Sequence, residues 1–134
     1  MPSDVAVRDR LAANLAAVRG RAADACRRAG RDPAAVTIVA VTKYVGPEIA
    51  RLVHEAGCHD LAESRPQALW AKAEALAAGA DSPPRWHLVG HLQRNKIRRT
   101  LPLVSLLHSL DSLRLLDALA VSYTHLRAHE TLRY

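Results

Sequence analysis

Short, nearly unbroken apolar runs alternate along this chain with segments whose apolar residues fall three or four positions apart, and that alternation restricts the fold more than any other feature. The clearest run is Val36-Thr37-Ile38-Val39-Ala40-Val41. A strand apolar at successive positions has both faces covered, as in parallel sheets, and parallel strands need crossover connections, usually helices. The flanking segments supply them. Before the run, Val7, Leu11, Leu15, Val18, Ala22 and Ala25 share one helical face, with Gly30 placed to stop the helix. After it, Gly46 and Pro47 open a helix with Ile49, Leu52 and Val53 as its buried face and Gly57 as its stop.

The pattern then repeats. Residues 58–62 read as a second strand, and Ser64-Arg65-Pro66-Gln67 has the spacing of a capping box for a helix that carries Leu69, Trp70, Ala73 and Leu76 and ends at Gly79. Residues 86–89 read as a third strand ended by Gly90, residues 94–103 as a basic helical segment, and residues 104–108 as a fourth strand. Ser109 or Asp111 is placed to cap a last helix with Leu113, Leu116 and Leu119 on its face. Strands and helices in this order predict an α/β fold built from βα units around a parallel sheet.

A chain of 134 residues suits one packed unit. No segment reaches the roughly 18 continuous apolar residues that a membrane span requires. Asp4, Arg8, Asp9, Arg10, Arg19 and Arg21 interrupt the first thirty residues, unlike a secretory leader. A soluble, cytoplasmic protein is expected. Cys26 and Cys58 are too few for a disulfide framework and read as reduced packing residues. Nineteen Lys and Arg against thirteen Asp and Glu give a formal charge of +6, which suits an anionic partner: a phosphate ligand, a nucleic acid or an acidic surface.

Parallel α/β folds bind ligands at the carboxyl ends of their strands. Here those ends are Thr42-Lys43-Tyr44, Ala62-Glu63-Ser64, Gly90-His91-Leu92-Gln93 and His108-Ser109. Lys43 shares strand parity with Val39 and Val41, so its ammonium points into the barrel mouth if those two face the interior. Partial burial there disfavours the charged amine and leaves a nucleophile able to form an imine; a solvated rim lysine is the plain alternative. His87, beside Trp86, reads as a satisfied structural histidine. His87 and His91, like His125 and His129, have the i, i+4 spacing of a zinc pair, but the first pair straddles a strand end and the second lacks the HExxH order, so no metal site is expected. Arg94, Lys96, Arg98 and Arg99 could meet nucleic-acid phosphates. Aromatic residues are only 4% of the chain and none punctuates this run, which favours a solvated helical face.

Four segments in order carry a family resemblance. Residues 40–43 (Ala-Val-Thr-Lys), 61–67 (Leu-Ala-Glu-Ser-Arg-Pro-Gln), 86–96 (Trp-His-Leu-Val-Gly-His-Leu-Gln-Arg-Asn-Lys) and 108–112 (His-Ser-Leu-Asp-Ser) resemble the first four strand signatures of the YggS/PROSC-like pyridoxal phosphate homeostasis proteins. That family shares the barrel of the alanine racemase N-terminal domain. The resemblance implies a pyridoxal-phosphate-binding (β/α)8 TIM-type barrel, truncated here to about four βα units preceded by an N-terminal helix. It also implies a pyridoxal 5'-phosphate imine at Lys43, a mouth lined by His91 and Gln93, and a non-catalytic carrier role with apo pyridoxal-phosphate enzymes as recipients. Tyr44 either packs on the pyridine ring or covers the barrel end. Where the family usually reads Gly-Glu-Asn this chain has Ala62-Glu63-Ser64, so a small hydroxyl replaces an amide at the cofactor edge. Ser64 stands both as a cofactor-binding candidate and as the cap of the following helix.

The resemblance covers residues 1–120 as the N-terminal half of the barrel, and residues 121–134 read as an unrelated tail of truncation or sequencing origin. A closed barrel needs about 250 residues and commonly holds phosphate after its seventh and eighth strands, so weak phosphate affinity and unpaired edge strands are expected. The alternatives are a fragment of a pyridoxal-phosphate-dependent amino acid racemase, a basic nucleic-acid-binding module using residues 94–99, and a chain with no activity of its own.

Overall fold

The computed structural model describes residues 3–78 and 82–131. Helix α1 (Asp4–Arg28) opens the chain, its first turn capped by the Ser3 hydroxyl, and Gly30 leaves it at φ 68°. Strand β1 (Ala40–Val41), helix α2 (Pro47–Glu55), strand β2 (Asp60–Glu63), helix α3 (Pro66–Ala77) and strand β3 (Arg85–Leu88) follow in strict alternation. A short helix α4 (Ile97–Thr100), strand β4 (Val104–Leu107) and helix α5 (Leu113–Thr131) complete the described elements. The sheet runs β1-β2-β3-β4 with every neighbouring pair parallel, the arrangement predicted from the alternating runs.

Strand parity divides the sheet into two faces. Leu61, Trp86 and Leu88 point to the helices and pack with Ala50, Leu69, Leu76, Ile97 and Leu115 as the core. The opposite face carries Val41, Asp60, Ala62, His87 and Leu106; Val41 and Leu106 are half exposed there. β1 and β4 are the edges of this sheet. Both cysteines are free and buried, Cys58 within the core.

Several local expectations are corrected. The first strand is paired only over Ala40–Val41, because Ala40 pairs with Leu61 and β2 begins only at Asp60, so the residues before position 39 lie opposite no strand, and Val36 is already partly exposed. Ser64 does not cap α3. Arg65 occupies that position in an extended conformation with no side-chain cap, as a residue before proline must, and Pro66 at the first helical position presents no N–H to satisfy. The expected stop at Gly79 lies outside the described residues. Neither Ser109 nor Asp111 caps α5; the Ser112 hydroxyl accepts from Leu115 N–H at 3.1 Å.

The face of α5 also differs. Leu115 is buried, with Ala118 and Leu119 packed against the core, whereas Leu113 is 78% exposed. Leu113, Leu115, Leu116 and Leu119 form two overlapping stripes, and contact with the core selects between them. The basic segment is a 3-10 turn (Arg94–Lys96) followed by the single turn of α4. On α1, Val18 is half exposed and Cys26 is the buried residue instead. α5 continues through position 120 without a break.

Candidate functional site

The strand ends gather the candidate residues on one rim. Lys43 lies in the turn after β1, exposed, with its ammonium 5.1 Å from the Tyr44 ring centroid; Tyr44 itself is 90% exposed. The partial burial expected for Lys43 is therefore not supplied by the described residues. Val41, two residues earlier on the same side of β1, is likewise exposed on the open sheet face.

Thr42, between them, is held on every polar atom. Its N–H donates to Ala62 O at 2.9 Å, and its hydroxyl donates to Glu63 Oε2 at 2.8 Å. Its carbonyl accepts from Lys72 Nζ at 2.6 Å and from Val45 N–H at 3.2 Å. Lys72 Nζ also meets Glu63 Oε1 at 2.9 Å, closing a buried triangle of Thr42, Glu63 and Lys72. Glu63 shares strand parity with Leu61, and Lys72 lies at helical spacing between Leu69 and Leu76. That charged residue inside an apolar stripe was a sequence signal for the triangle, overlooked in favour of the leucines.

After β3, Gly90 crosses beside Ser64 so closely that a Cβ would fall far inside contact distance of the Ser64 carbonyl oxygen. The loop then carries His91 and Gln93, both exposed, with His91 Nδ1 3.3 Å from Asp111 Oδ2. Ser109 Oγ donates to Gly90 O, tying this loop to the segment after β4. An open cleft of about 600 Å³ is walled by His91, Gln93, Arg94, Asp111 and Arg114, among others. His91 and Gln93 are thus brought together; among the described residues, Lys43, Tyr44 and Ser64 do not line this cleft.

His87 is buried with both ring nitrogens engaged, Nε2 to Asp60 Oδ1 at 3.0 Å and Nδ1 to His108 Nε2 at 2.9 Å, the satisfied environment expected for it. Arg85 donates twice to the same carboxylate and, with His87, holds Asp60 down at about 2 against the opposing effect of burial. Sequence reading missed Asp60; its parity with Ala62 was the available clue. Within the basic segment, Arg99 stacks over the Trp70 ring at 4.4 Å, and Trp70 Nε1 donates to the buried Thr100 hydroxyl at 2.9 Å. Among the described residues no group of three metal-ligating side chains gathers, and no helix is long and apolar enough to cross a membrane.

The chain is similar to curated proteins over most of its length. It is 36% identical over 110 residues to the pyridoxal phosphate homeostasis protein of Pseudomonas aeruginosa, covering 82% of this chain and 46% of that one. It is 37% identical over 103 residues to the protein of the same name from Aquifex aeolicus, covering 77% and 44%. Among solved structures, PipY of Synechococcus elongatus with PLP bound superposes with a TM-score of 0.71 at 30% identity, over 87% of this chain and 49% of that one. An unknown protein from Bifidobacterium adolescentis gives 0.74 at 28% identity, over 89% and 51%. These likenesses identify the parallel βα units as part of a TIM-barrel-like fold. The chain spans about half the length of the curated relatives it matches. No protein-family model matches it.

Proposed function

The chain belongs to the pyridoxal phosphate homeostasis proteins over the part of their length that it spans, and on that premise we propose that it binds pyridoxal 5'-phosphate through Lys43. The observation that carries this reading is the different fate of two amines. Lys72 is buried and committed to a carboxylate and a carbonyl, whereas Lys43 stands exposed at the carboxyl end of β1 with no carboxylate partner among the described residues. An amine that attacks an aldehyde must be reachable and able to lose its proton, and Lys43 meets the first condition here.

Lys43 nitrogen adds to the aldehyde carbon, and the oxygen leaves as water, so the bond is a reversible imine. Bound in this way the cofactor supplies an electron-withdrawing ring to whichever protein next receives it. Arg94 and Arg114 put positive charge on the same rim, in the cleft that His91 and Gln93 also wall, and His91 and Gln93 are assigned to the cofactor mouth on the family resemblance. Tyr44 and Ser64 are assigned to the cofactor edge.

The role is that of a non-catalytic carrier in the cytoplasm, with apo pyridoxal-phosphate enzymes as recipients. Residues 1–120 constitute the barrel portion and residues 121–134 an unrelated tail.

The test is to mix the chain with pyridoxal phosphate, reduce with borohydride and locate the adduct by peptide mass, with Lys43→Ala alongside. Adduct at Lys43 that disappears in the variant is the expected result. Labelling spread over Lys43, Lys72 and Lys96 alike would overturn the assignment.

A further inference from the structure

We infer that Glu63 and Lys72 are positioning residues that aim Lys43, an inference that rests on the role proposed for Lys43. The buried triangle does not touch the Lys43 side chain. It acts one residue earlier, on Thr42.

A peptide unit is planar, so the Thr42 carbonyl and the Lys43 N–H belong to one rigid plate. Lys72 Nζ at 2.6 Å and Val45 N–H at 3.2 Å grip that carbonyl from two directions. Glu63 receives the Thr42 hydroxyl with one oxygen and Lys72 with the other. The plate therefore cannot swing without breaking a charge-assisted hydrogen bond, and its orientation sets where the Lys43 Cα–Cβ bond starts. β1 is only two residues long and lies at the sheet edge, so its own ladder gives this turn little support.

Stability alone is a weak reason for such a triangle. Burying a carboxylate and an ammonium removes both from water, and replacing a buried ion pair with apolar groups of similar volume is often neutral or stabilising. Leu69 and Leu76 flank Lys72 on the buried stripe, so an apolar residue would fit the helix pattern at this position. What an apolar residue would lose is the grip on the Thr42 carbonyl.

The test compares the chain with the double variant Glu63→Gln/Lys72→Met, which strands no charge. Amide exchange is read at Val45, with the Val89 amide, bonded to Glu63 O, as an internal reference. Labelling of Lys43 by pyridoxal phosphate and borohydride is read in parallel, as is the pH profile of imine absorbance.

The expected result is an unchanged melt and reference amide, Val45 exchange faster by about tenfold, and Lys43 labelling lower by about tenfold or more. Unchanged Val45 exchange would overturn the inference, whether or not an imine forms. A parallel loss of the melt and of both amides would also overturn it, since the triangle would then be structural alone. If the parent chain itself is unlabelled at Lys43, the cofactor role fails, while the exchange comparison still decides whether the triangle holds the turn.

Discussion

The imidazole of His108 lies 2.9 Å, nitrogen to nitrogen, from that of His87. Only one of two facing ring nitrogens can be the acceptor. In the tautomer whose Nε2–H donates to Asp60, His87 Nδ1 accepts from His108 Nε2–H. Arg85, Asp60, His87 and His108 thus form a row from the amino ends of β2 and β3 to the carboxyl end of β4.

This row makes acid stability depend on Asp60. Hydrogen bonding from Arg85, and then from His87, lowers its carboxyl from 3.8 to about 2 against burial. A depressed carboxyl contributes stability that is fully present above its unfolded value and is lost as pH falls through its folded value. The melting temperature should therefore fall between about pH 4 and pH 2. Asp60→Asn should flatten the melting profile in that window and lower stability at neutral pH by about 1–3 kcal/mol. A profile with the same slope in both proteins would refute the assignment.

Gly90 should tolerate no side chain. Its neighbour at the missing Cβ position is the Ser64 carbonyl, which is backbone and cannot rotate away. Gly90→Ala is expected to separate the ends of β2 and β3 and cost about 3 kcal/mol, read as a lower urea midpoint. A midpoint within error of the parent would show that the two segments are farther apart.

Thr100 links the basic turn to α3. It accepts from Trp70 Nε1 at 2.9 Å and donates to Lys96 O at 2.7 Å. Thr100→Val keeps the shape but orphans the indole N–H, so a loss of about 1–3 kcal/mol in urea denaturation is expected. Thr100→Ser should retain both bonds and recover most of that loss.

Lys43→Ala should separate binding from folding. Exposed side chains without specific partners contribute little, so the change in unfolding free energy should stay within about 0.5 kcal/mol while the reduced cofactor adduct at this position disappears. A large drop in stability would mean that Lys43 has a structural partner beyond the Tyr44 ring.

The order of elements was legible because it is written locally. Apolar runs marked the strands, three-and-four spacing marked the helices, and Gly30 and Gly57 take the positive φ that ends α1 and α2. Choices among near-equivalent local signals went wrong. Ser64 looked like a cap until Pro66 moved the helix start, and α5 turned Leu115 rather than Leu113 inward. The strand-end rule found Lys43, His91 and Gln93 as rim residues, but it could not say that His91 and Gln93 share a cleft apart from Lys43.

Sequence by itself determined the parallel βα architecture, the family resemblance and the placing of a lysine at the first strand end, since periodicity, turn chemistry and motif order act over a few residues. Only the tertiary structure decided the partners. Lys72 meets Thr42 across thirty positions, and Asp60 meets His87 across twenty-seven. Such pairs depend on which helix crosses which strand and at what register, and a desolvated charge accepts whichever partner that crossing brings within hydrogen-bond reach.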